Sequence, residues 1–118
     1  MHNIVKKIIF IPKRFHSDNK SSAYSLLKES GYFEFYNSIC TKDICTILMQ
    51  YPDCLNDWLQ WSNDKRSSYG WYLKQNQDKK YVIGYISPNY NKVMEYTDIV
   101  EACSYFIKQE IEDIRKLK

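Results

Sequence analysis

The chain has 118 residues, the length of one domain, and carries 17 Lys and Arg against 14 Asp and Glu, a formal net charge of +3. Hydrophobic residues make up 44% and aromatics 16%, with three Gly and three Pro, which excludes a collagenous or low-complexity chain and argues against disorder. A domain this size buries roughly 65% of its unfolded surface, enough for a core without disulfide or metal staples.

From the N-terminus, Ile4, Val5, Ile8 and Ile9 make one face of a helix over 3–11, with Lys6 and Lys7 opposite. A strand over 7–11 competes with it, and Pro12 ends either element. Residues 17–22 are polar and read as a loop. Ser22 caps a helix over 23–30 that turns Tyr24, Leu26 and Leu27 inward, and Gly31 supplies its left-handed close. The aromatic stretch 32–36 fits a short strand or a helical turn equally well. Thr41 reads as the cap of a helix whose stripe is Ile44, Ile47 and Leu48, with Cys45 beside it. Pro52, entered from Tyr51, suits the first turn of a further helix whose inner face is Leu55, Trp58, Leu59 and Ser62; the polar stretch 63–68 ends it.

The pattern changes after Gly70. Segments 71–74, 81–86 and 92–96 are rich in β-branched and aromatic residues, and the connections between them are short and polar. Short connections predict an antiparallel meander. Gly84, inside the second strand, marks a bulge or a close approach of the last helix. Asp98 caps that helix over 98–117, with Glu101 at N3; Ile99, Cys103, Phe106, Ile107, Ile111 and Ile114 share one side, and Glu112 is placed to pair with Lys116. The predicted fold is α+β and a single domain over 1–118: N-terminal helices, then a three-stranded antiparallel meander, then a long C-terminal helix on one sheet face.

The chemistry of the sequence is spare. The longest apolar run, 8–11, is far short of the roughly 20 residues a bilayer span needs. Lysines split the apolar residues near the N-terminus, so no export signal is expected and the cytoplasm is the predicted compartment. Cys40, Cys45, Cys54 and Cys103 form no C-x-x-C pair and lie among apolar residues, so they read as free buried thiols, with no metal and no cofactor. His2 sits at the terminus and His16 in a polar turn, neither near a nucleophile. Two carboxylate pairs at helical spacing, Asp53 with Asp57 and Glu110 with Asp113, alternate with apolar positions in a way that turns them outward. No catalytic residue is nominated and an enzyme is not expected. The cluster Asp64-Lys65-Arg66 beside Gly70-Trp71-Tyr72 fits an RNA-stacking site, but diffuse charge favours a structural turn with Trp71 packed on the last helix.

The run Trp58-Leu59, Ser62, Asp64-Lys65-Arg66 and Gly70-Trp71-Tyr72, followed by Tyr81-Val82-Ile83-Gly84-Tyr85, then Glu95-Tyr96-Thr97-Asp98, Glu101-Ala102-Cys103, Phe106-Ile107-Lys108 and Glu110, resembles small bacterial immunity proteins of contact-dependent growth inhibition systems. The resemblance covers about 51–114. It implies a cytoplasmic protein that binds the C-terminal toxin domain of a CdiA protein one to one, with no direct nucleic-acid or membrane contact. Such a protein blocks the toxin's active site, often that of a nuclease and typically an RNase, and brings no catalytic residues of its own. Eleven tyrosines and three tryptophans suit that role, because these side chains dominate protein interfaces. The expected contact surface is the sheet face away from the last helix, with Tyr72, Tyr81, Tyr85 and Tyr90 as nominees. A net positive inhibitor fits a cationic nuclease poorly unless its acids cluster, which nominates Asp53 and Asp57, or Glu110, Glu112 and Asp113. The alternative is a small RNA-binding or regulatory module that uses the sheet aromatics.

Overall fold

Val5, Ile8 and Ile9 recur at helical spacing, and in the computed structural model they form the buried stripe of α1 (His2–Ile9). The structure describes residues 2–17, 21–64 and 69–116. Pro12 does not end the helical path, as the sequence suggested. It occupies the second position of α2 (Ile11–Ser17), where a missing N–H costs nothing. His16 therefore lies on a helix, exposed, rather than in a turn. Residues 18–20 of the expected loop lie outside the described residues.

The expectation for α3 (Ala23–Ser30) holds at both ends. The Ser22 hydroxyl accepts from the Ser25 N–H at 3.0 Å, and Gly31 closes the helix at φ +95°. The aromatic stretch left open between strand and helix is α4 (Tyr32–Phe35), followed by one turn of 3-10 helix, Tyr36–Ser38. The cap of α5 (Thr41–Gln50) is Cys40, not Thr41: Asp43 reaches back to accept from the Cys40 N–H at 2.9 Å. Ile44, Ile47 and Leu48 are its buried stripe. Pro52 precedes α6 (Asp53–Asp64), which buries Cys54, Trp58 and Ser62; Leu55 and Leu59 are only half-buried. The turn expected after it lies in part outside the described residues, Lys65 and Arg66 included.

The meander is as expected, with β1 (Gly70–Gln75), β2 (Tyr81–Ser87) and β3 (Tyr90–Tyr96) antiparallel in the order β1-β2-β3 and in unbroken register. No bulge interrupts β2, so Gly84 has another purpose. Asn76 shapes the first hairpin, its side-chain carbonyl accepting from the Asp78 and Lys80 N–H groups at 3.0 Å each.

Helix α7 (Ile99–Arg115) starts at Asp98, whose carboxylate accepts from the Val100 N–H at 2.8 Å. It does more than lie on the sheet. It packs against β1, β2 and β3 and also against α3, α5 and α6, the last of which reaches β1 as well. This explains why its buried set is wider than one stripe, running from Ala102 and Cys103 through Phe106, Ile107 and Ile111 to Ile114. Each such Ile or Phe contributes roughly 1.5–3 kcal/mol. The same packing buries Glu110, predicted to face water; its carboxylate accepts from Trp61 Nε1 at 2.9 Å. Glu112 pairs with Arg115 at 3.0 Å rather than with Lys116.

Candidate interaction surface on the sheet

In an antiparallel sheet, directly paired residues share a face. Trp71 and Leu73 of β1 face α7, with the Trp71 ring 5.9 Å from Tyr105. Register then puts Tyr85 (paired with Trp71), Ile83 (with Leu73) and Tyr81 (with Gln75) on that same covered side, along with Lys92, Met94 and Tyr96. The opposite side carries Tyr72, Lys74, Val82, Gly84, Ile86, Asn91, Val93 and Glu95; only Val82 and Gly84 on it are buried, and none of its side chains belongs to the core cluster.

This placement splits the four nominated tyrosines. Tyr72 stands on the open face as expected. Tyr81 and Tyr85 do not: Tyr81 is half-buried against the core, and the Tyr85 ring lies tilted against that of Trp71, centres 5.1 Å apart. Strand β2 is apolar on both sides, so alternation alone could not tell its covered face from its open one. Tyr90, 57% exposed, also falls on the α7 side, its ring 6.3 Å from that of Tyr85. Together with Trp71, Tyr105 and Lys92 it lines a shallow groove of about 380 Å³ at the sheet rim.

Tyr72 explains Gly84. Its ring lies flat across the paired glycine, where a Cβ would run into the ring carbons and hydroxyl. The glycine thus accommodates an aromatic side chain on the open face, not the helix on the other. Lys74 holds its ammonium 5.4 Å from the Tyr72 ring centre. Val93, next in the row beyond Gly84, is 62% exposed, and Ile86 is 38% exposed. These two were missed in the sequence. The signal was present for Val93, which alternates with Asn91 and Glu95 and so belongs to the polar, outward set.

The acidic nominees lie elsewhere. Asp53 is exposed in the first turn of α6, and Asp57 is turned toward α2, where Lys13 pairs with it at 2.9 Å. Neither joins the tyrosines. Glu112 belongs to a polar cluster that ties α4 and the 3-10 turn to α7. The Tyr32 hydroxyl donates to its carboxylate, and Arg115 donates two bonds of 3.0 Å to it while lying 3.7 Å from the Tyr36 ring centre. Lys108 donates to the Tyr32 hydroxyl at 2.7 Å and to the carbonyls of Ile39 at 2.7 Å and Tyr36 at 3.1 Å. Burial opposes ionisation of Glu112, but the bonds from Arg115 and Tyr32 and the nearby Lys108 outweigh it and hold the carboxyl below the usual range. Burial also keeps the Lys108 ammonium below the ordinary lysine range and pushes the Tyr32 phenol up. Each partner answers another, so the cluster acts as a clamp on an irregular segment.

Of the thiols, Cys54 and Cys103 are buried as expected, Cys45 is half-buried, and Cys40, at the α5 cap, is exposed, against expectation. Burial pushes the Cys54 thiol up to about 11. Among the described residues no group of three or more His, Cys, Asp and Glu could hold a metal ion, and no helix is long and apolar enough to cross a membrane. No protein-family model, curated protein or solved structure matches the chain.

Proposed function

We propose that this chain is a cytoplasmic immunity protein that binds the C-terminal toxin domain of a CdiA protein, one to one, and neutralises it by covering its active site. The resemblance over 51–114 suggests the class. The observation that carries the reading is the uncovered sheet face, where Tyr72 lies across Gly84 beside the exposed Ile86 and Val93. A flat aromatic centre with aliphatic neighbours and a charged margin, Lys74 and Glu95, has the anatomy of an interface core and rim. The ring also rests on backbone and needs little ordering when a partner closes over it.

The test is titration calorimetry against the toxin fragment encoded beside this gene, together with protection of cells that express that fragment. Tyr72→Ala should weaken binding roughly thirtyfold, the size of an interface hot spot. Ile86→Lys should weaken it as well, with both variants melting within a few degrees of the parent. Absence of binding by the parent protein, or full affinity in both variants, overturns the reading. Lys74 beside the Tyr72 ring, with Lys79 and Lys80 in the following turn, favours a second reading, a sheet surface that stacks RNA bases. That reading requires salt-sensitive RNA retention that Tyr72→Ala abolishes.

A further inference from the structure

The two edges of the sheet are treated differently. On β1, the Leu73 N–H turns away from β2 and donates to the Ser62 hydroxyl of α6 at 2.7 Å, so the helix seals that edge. Among the described residues the outer edge of β3 has no strand beside it. Its seven residues contain no Pro and no bulge, two of the devices that protect such an edge, and Lys92 and Glu95 are its only charged residues.

The hydrogen-bonding phase of that edge follows from Leu73. Since its N–H points outward, Leu73 and Ile83 are a non-hydrogen-bonded pair, and Ile83 directs its backbone groups to its other partner, Met94. Alternation then turns Tyr90, Lys92, Met94 and Tyr96 toward β2. The N–H and C=O groups of Asn91, Val93 and Glu95 face outward. The two-residue turn that closes at Ser87 and Tyr90 has the same phase.

We propose that β3 pairs antiparallel with β3 of a second copy of this chain about a two-fold axis at Val93, joining two three-stranded sheets into one of six. The full-overlap register is centred there because Val93 is the midpoint of Tyr90–Tyr96. It sets Val93 against Val93 of the second copy, Asn91 against Glu95 and Tyr90 against Tyr96, an apolar, a hydrogen-bonding and an aromatic match, and places Lys92 beside Met94 with no like charge opposite it. Shifting the axis to Lys92 would put two ammonium groups opposite each other. Shifting it to Met94 would set Val93 against Glu95 and shorten the overlap. The favoured register also covers the two exposed hydrophobic side chains of the strand, Val93 and Tyr90, at 62% and 57%. On the α7 side it would carry the row Trp71, Tyr85 and Tyr90 on to Tyr96 and Tyr105 of the second copy.

Sedimentation equilibrium over a concentration series, joined with amide hydrogen exchange, tests the arrangement without any toxin. The expected result is a dimer in which the amides of Asn91, Val93 and Glu95 exchange slowly. Val93→Pro removes an outward donor only, at an edge position where proline is tolerated, and should weaken the dimer tenfold or more while the monomer fold persists. Val93→Lys, which places like charges at the axis, should do the same. Met94→Pro is the phase control: it removes a bond to β2 and should destabilise the monomer itself. A strictly monomeric chain, a dimer with freely exchanging Asn91, Val93 and Glu95 amides, or a dimer untouched by either Val93 variant overturns the proposal.

Discussion

Glu112 shows how one side chain can set the acid limit of a fold. It accepts from Arg115 and Tyr32 with Lys108 close by, and its carboxyl is held below the usual range. A depressed carboxylate stabilises the folded state fully above its unfolded pKa, about 4.3 for glutamate, and loses that contribution as pH falls through the folded value. Glu112→Gln should therefore cost about 2 kcal/mol at neutral pH, the size of hydrogen bonds to a charged group, and flatten the loss of stability as pH falls below about 5. Urea melts of both proteins at several pH values check this; an unchanged acid slope would show that other carboxylates dominate. Gly84 is the other instructive residue. Its lack of a side chain is what lets Tyr72 lie down, so the pair is one feature of the surface.

At the scale of elements, the contact between α6 and β1 rests on a small polar group. Ser62 is buried at the helix C-terminal half, and its hydroxyl takes the Leu73 N–H that no strand can satisfy. Ser62→Ala leaves that donor buried and unpaired, at a cost of about 1–3 kcal/mol. Denaturant unfolding should show the loss, and exchange of the Leu73 amide should accelerate beyond what the global change explains. The α1–α2 junction follows the same logic. There the Trp58 indole, fully buried, donates to the carbonyl of Ile9, the last residue of α1, at 3.0 Å. Polar side chains from neighbouring elements complete the ladders that local sequence leaves open.

Across the whole molecule, α7 is the layer that both the helices and the sheet need. Cys103 sits fully buried on it, and Cys54 is buried in α6. Both thiols are pushed up by burial, Cys54 to about 11 and Cys103 further. Thiolate is the reactive form, so these two should label with a thiol reagent only when the layers separate, whereas the exposed Cys40 should label at once. Mass spectrometry of natively labelled protein should find Cys40 modified first. Rapid labelling of Cys103 would mean that the layers open far more easily than their packing implies.

The α+β class, the meander, the Ser22 and Asp98 caps, the Gly31 close and the inner stripes of α5 and α7 were legible in the sequence, because each depends on spacing within a few neighbouring residues. Tyr72 on the open face was legible for the same reason: Leu73 and Trp71 fix the other side. The path through Pro12, the covered position of Tyr81 and Tyr85, the buried Glu110, the choice of Arg115 over Lys116 as partner to Glu112 and the purpose of Gly84 were decided only in three dimensions. Periodicity says that a residue has two possible sides; which of them meets water depends on what the rest of the chain lays against it. Here α7 is packed against helices as well as the sheet, and that reverses the outward reading of Glu110 while Asp113 stays exposed.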